Sequence, residues 1–180
     1  MDPVLQILFL EELRKQCIFT LFSYGELTAK VYENDHIRLW LSLQSMLIAS
    51  ANISKILFAD KNKINKEELH RRERRESLYQ ILEISGNEQF ASRSARNDFE
   101  HFDERLEDLY RESTTSHSLI DGAIGGDNLI KENKDVHYLR FFNTDRFVFR
   151  FRDKEYEIEK LKTDIIELLN KVNYVLKKDN

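Results

Sequence analysis

The sequence predicts a mainly α-helical protein, an up-and-down helical bundle carrying a small antiparallel β-hairpin near residues 138–158. Three observations lead there. Five glycines and a single proline, Pro3, in 180 residues leave few helix breakers. Apolar residues recur at three- and four-residue steps through the first sixty positions and again near the C-terminus, the signature of amphipathic helices. Only between 138 and 158 does the step change to two, the period of a strand. A chain of this length forms one domain, 1–180, able to bury about two-thirds of its unfolded surface.

The elements follow in order. Leu5, Leu8, Phe9, Leu13, Cys17, Tyr24, Leu27 and Val31 place a long helix over residues 4–33, in which Gly25 marks a close crossing or a bend. Asn34-Asp35 breaks it, and Asp35 caps a second helix over 36–59, apolar around more than half its circumference and therefore central to the bundle. A polar loop over 60–65 leads to a third helix over 66–84, stopped at Ser85-Gly86-Asn87. A fourth helix runs over 88–111. The segment 113–135, with Gly122, Gly125 and Gly126, reads as a long irregular loop. Residues 138–142 and 147–151 flank Asn143-Thr144-Asp145-Arg146 as a hairpin, with Phe147, Phe149 and Phe151 on its buried face, and residues 156–158 suggest a third short strand. A last amphipathic helix covers 160–176 and is the obvious lid for the hairpin aromatics.

Composition excludes several classes. The net charge of -4 supplies no global attraction to nucleic acid, so any RNA contact must use a local basic patch. A single cysteine, Cys17, rules out an internal disulfide and a cysteine-based zinc cluster, and its apolar setting marks it as a small buried hydrophobe. Glu11 and Glu12 interrupt the N-terminal apolar run, which has no basic leader. Residues 39–54 carry no charge, yet Ser42, Gln44, Ser45, Ser50 and Asn52 make them too polar to span a bilayer. No membrane association, no metal and no cofactor are expected, and a cytoplasmic location follows by elimination.

The chemistry-bearing segment is Arg96-Asn97-Asp98-Phe99-Glu100-His101, which puts a fixed cation, an amide and an imidazole within two turns of one helix. Ala95, Phe99, Phe102, Leu106 and Leu109 form the core stripe of that helix, and at about 100° per residue His101 points roughly 120° away from it. Asn97 lies one turn before His101 on the same flank, and Arg96 sits at the border between core and wet face. Metal-free RNA cleavage needs a base for the 2′-hydroxyl, an acid for the leaving 5′-oxygen and positive charge at the phosphorane. Histidine and arginine are suited to those tasks. One helix offers one histidine, so a cleft between two protomers would supply the pair. The alternative is a solvated charged face on a helical interaction module.

On these residues the chain resembles the HEPN superfamily, whose catalytic members are metal-independent endoribonucleases. The resemblance rests on Arg96-Asn97-x3-His101 in the fourth helix, supported by residues 44–55 in the second, and covers roughly 4–112 with the last helix. It implies catalytic roles for Arg96, Asn97 and His101, a homodimer through the motif helix, and service in toxin–antitoxin, phage-defence or RNA-processing systems with an antitoxin or other protein partner. Noncatalytic HEPN domains also exist, which keeps a binding or interaction module in play. Asp98, Glu100, Asp103 and Glu104 crowd the motif with negative charge that would repel RNA unless paired with Arg93, Arg96 or Arg105.

A second segment, 61–75, holds seven basic and three acidic residues, a local charge of +4. Lys61, Lys63, Arg71, Arg72, Arg74 and Arg75, with Arg93, form the candidate RNA-binding set. A solvated helix face held by pairs such as Glu67–Arg71 would produce the same pattern.

Overall fold

The computed structural model describes residues 1–58, 66–112, 119–132 and 136–178 of the chain. It is mainly helical. The first helix, α1 (Pro3–Glu33), starts where Asp2 accepts hydrogen bonds from the Val4 and Leu5 amides, with Pro3 at the position where a missing N–H costs nothing. It ends at Asn34, whose left-handed φ of 55° reverses the chain. Asp35 caps α2 (His36–Leu57) through the Arg38 amide, as its sequence position suggests. Leu10, Leu13, Cys17 and Leu27 of α1 meet Leu39, Leu43, Met46, Leu47 and Ile53 of α2 in the core, all nearly or fully buried. Gly25 serves no close crossing. It lies exposed, with nothing within 4 Å of where a Cβ would stand.

Helix α3 (Lys66–Ile81) stops earlier than its periodicity suggests, at Glu83 with φ 48°, because Leu82 and Ile84 turn into the core. Glu88 then accepts from the Ser85 and Gly86 amides and holds the turn. The continuous fourth helix expected over 88–111 is divided in three. Gln89–Ala91 forms a single 3-10 turn, α4 covers Ser94–Glu100, and α5 covers Phe102–Glu112. Tertiary contacts decide the first break, since the Gln89 amide donates to Asp164 at 2.6 Å and Phe90 is buried against Phe58. The second break is at His101, whose φ of -105° and ψ of 35° leave the helical range.

The hairpin is real and belongs to a larger sheet. Strands β1 (Leu119–Ile120), β2 (Ala123–Gly125), β3 (His137–Tyr138), β4 (Arg140–Asn143), β5 (Val148–Phe151) and β6 (Lys154–Glu157) form a parallel β1–β3 pair and a four-stranded sheet ordered β2-β4-β5-β6. A short helix, α6 (Asp127–Glu132), lies between β2 and β3. The described part of the segment read as irregular loop therefore holds regular structure. Its strand is fixed by backbone pairing with residues far along the chain, Ala123 to Phe141 and Ile124 to Phe142, which leaves no local periodicity to read. Asn143 Oδ1 accepts from the Asp145 and Arg146 amides and closes the turn into β5.

Pairing of Phe142 with Phe149 and of Arg140 with Phe151 places those four side chains on one sheet face. The cover is not the terminal helix, α7 (Ile158–Lys178), which packs mainly along α1. Trp40 of α2 and Phe99 of α4 supply it, with ring centroids 6.0 and 5.2 Å from Phe149. The aromatic sheet face is thus core, and it docks the motif helix.

Candidate functional site

The site is built on α4 and its junction with α5. Ala95 and Asp98 are buried beneath α4, and Phe99 packs on the sheet, which fixes the rotation of the helix. Asn97 and His101 then fall on the outward side, both exposed. The backbone ladder continues across the bend: the His101 amide donates to the Asn97 carbonyl at 3.0 Å, and the His101 carbonyl accepts from the Arg105 amide at 3.1 Å. His101 Nδ1 lies 3.4 Å from Glu104 Oε1, and the imidazole is about half exposed. Glu104 thus stands beside Nδ1 without a hydrogen bond to it, and Nε2 is the other ring nitrogen of this exposed side chain.

Arg96 occupies the core border expected of it, but its guanidinium turns to Glu100, one helical turn on. Little of the side chain is open, and it also lines a narrow crevice with Tyr156, Glu157 and Leu161. Asn97 and His101 thus share a face, while Arg96 is held to its side by a carboxylate.

Asp98 is the residue whose role the sequence conceals. It is 2% exposed and accepts from Lys154 Nζ at 2.9 and 3.0 Å and from the Tyr156 hydroxyl at 2.9 Å. Arg105 Nε stands 3.6 Å away. Burial, reinforced by the adjacent Asp98 carboxylate, pushes the Tyr156 phenol up to about 12. The available signal was Lys154 and Tyr156 at a strand's two-residue step, but nothing local ties them to Asp98. A cleft of about 230 Å³ opens here, lined by Asp98, Arg105, Arg152, Asp153 and Lys154. The acidic crowding around the motif is accordingly answered in part: Asp98 by Lys154 and Arg105, and Glu100 by Arg96.

The basic set does not gather into one patch at the motif. Lys61 and Lys63 lie outside the described residues. Arg71 is exposed on α3, whereas Arg74 lies over the Phe9 ring of α1, 4.4 Å from its centroid. Arg72 and Arg75 line a cavity of about 520 Å³ with Leu57, Phe58 and Tyr79. Arg93 reaches the Phe58 carbonyl at 3.5 Å and so ties the start of α4 to the end of α2.

Cys17 is fully buried, and burial pushes its thiol up to about 12, so it behaves as a packing group. Among the described residues no three His, Cys, Asp or Glu side chains converge as metal ligands, and no helix is long and apolar enough to cross a membrane. Comparison with family models, curated proteins and solved structures finds no match to this chain.

Proposed function

We propose that this chain is a metal-independent endoribonuclease of HEPN type acting on RNA phosphodiesters. The observation that carries the reading is the shared outward face of Asn97 and His101, with Glu104 Oε1 3.4 Å from His101 Nδ1. In this reading Glu104 closes on Nδ1 and orients the imidazole as a base. His101 Nε2 accepts the proton of a 2′-hydroxyl as its oxygen attacks the adjacent phosphorus. The bond to the 5′-oxygen breaks, a proton goes to that oxygen, and the products are a 2′,3′-cyclic phosphate and a 5′-hydroxyl. Asn97 hydrogen-bonds the scissile phosphate or the histidine. Arg96 exchanges Glu100 for a phosphate oxygen, a substitution its guanidinium fork suits. The second proton-transfer group comes from His101 of another copy brought across the same face. The setting would be toxin–antitoxin, antiviral defence or RNA processing in the cytoplasm, with an antitoxin or similar protein as partner.

The test is incubation of purified protein with labelled RNA in EDTA, beside Arg96→Ala and His101→Ala. Cleavage that leaves cyclic phosphate ends and disappears in both variants supports the reading. Cleavage that survives His101→Ala overturns it.

A second reading, a noncatalytic helical interaction or RNA-binding module, draws on a different observation. Arg96 is engaged by Glu100, while large apolar side chains stand exposed on α1 and α2. RNA binding or protein association with no cleavage of any RNA would favour it.

A further inference from the structure

The buried side of α1 packs on α2 and α7, and among the described residues its opposite side is left open. That open side is far from polar. Val4 (67% exposed), Leu8 (62%), Ile18 (45%) and Phe22 (69%) lie along it, flanked by Ile7 and Phe19. With Glu11 and Lys15 they follow the steps 4-8-11-15-18-22, alternating four and three residues, which is the seam of a coiled coil. Monomeric proteins seldom leave so long an apolar stripe uncovered.

The stripe is complementary to itself in one orientation. A two-fold axis crossing α1 at residue 13 sets each residue against the one whose number makes a sum of 26. Val4 then meets Phe22, Leu8 meets Ile18, and Glu11 meets Lys15, so every seam position lands on a seam position. A parallel pairing would instead stack Glu11 on Glu11 and Lys15 on Lys15. Within one chain these charges form only exposed pairs, Glu11 with Arg14 at 3.3 Å and Glu12 with Lys15 at 3.2 Å. Such pairs contribute little and re-form across a seam at little cost.

We infer that α1 pairs with α1 of a second copy, antiparallel, in a symmetric homodimer whose register is set by Glu11 against Lys15. The covered seam runs from Val4 to Phe22, about 27 Å at 1.5 Å per residue. It does not depend on the nuclease reading, because α1 packs on α2 and α7 while the motif helix α4 packs elsewhere on α2.

The experiment is sedimentation equilibrium of the full chain and three charge variants, with circular dichroism as a check on helix content. Wild type should have twice the chain mass at micromolar concentration. Glu11→Lys and Lys15→Glu each place like charges at two symmetry-related contacts and should weaken the dimer by on the order of 10-fold. The double variant Glu11→Lys/Lys15→Glu should recover the wild-type dissociation constant, since the pairs are exchanged rather than lost. Phe22→Asp should weaken the wild-type association at least as strongly as the single reversals, at unchanged helix content. A monomeric wild type overturns the inference, and so does a dimer indifferent to the single reversals or a double variant no tighter than the singles.

Discussion

Asp98 and Lys154 meet at 2.9 Å although 56 residues separate them, and the contact joins the motif helix to the last strand of the sheet. A carboxylate this deeply buried needs its partners, because an unpaired buried charge costs far more than a pair gains. Asp98→Ala leaves the Tyr156 hydroxyl and Lys154 without their acceptor. We expect a loss of about 2 kcal/mol, read from urea unfolding. Lys154 is more than half exposed, so Lys154→Ala should cost less than about 1 kcal/mol. Equal losses from the two would contradict this account.

Phe99 fixes the rotation of α4 by stacking on Phe149. Phe99→Ala should cost about 3 kcal/mol, while Phe99→Leu, which keeps most of the volume, should cost under about 1.5 kcal/mol. Hydrogen exchange should show the α4 amides losing protection before those of α1, since local opening follows the contacts removed.

Two buried groups predict the alkaline limb of stability. The thiol of Cys17 and the phenol of Tyr156 are both held neutral in the fold, each pushed up to about 12. A folded value above the unfolded one means that the folded state binds more protons in between, so stability falls as pH rises through that window. The decline should begin above about 8.5 from Cys17 and steepen above about 10 as Tyr156 joins, the ordinary values of the two groups. Urea midpoints from pH 7 to 11 would show it, and Cys17→Ala should remove the earlier part of the slope. At neutral pH Cys17 should react with a thiol reagent only as fast as the protein opens.

Gly25 sits mid-helix, exposed, with open space where a side chain would go. Gly25→Ala should therefore stabilise the protein by about 0.5–1 kcal/mol through helix propensity alone. A thermal melt showing no gain would indicate that the position serves an association rather than the fold.

Glu100 competes with phosphate for Arg96. Glu100→Gln frees the guanidinium and removes a negative charge, and RNA affinity measured by fluorescence anisotropy should rise several-fold at low salt. The gain should shrink as salt screens the contact. A loss of affinity would mean that Glu100 positions Arg96 rather than restraining it.

Sequence by itself determined what depends on neighbours in the chain. Asp2, Pro3, Asn34 and Asp35 bound the first two helices through caps and a turn that local hydrogen bonds complete. The two-residue step of Phe149 and Phe151 marked the second strand of the hairpin, although Phe147, expected on the same buried face, lies in the turn at φ 51° and Val148, expected on the wet face, is buried; the stripe of Ala95, Phe99 and Leu109 turned Asn97 and His101 outward. Even the Arg96–Glu100 pair is a spacing of four, readable on any helix. Tertiary structure decided the rest. It bent the chain at His101, pulled Gln89–Ala91 out of the helix toward Asp164, and recruited β2 beside β4. It gave the sheet aromatics Trp40 and Phe99 as cover, and it gave Asp98 its cations. Each of these joins residues distant in sequence, where the gain from burial or charge pairing outweighs local preference and leaves no periodic trace.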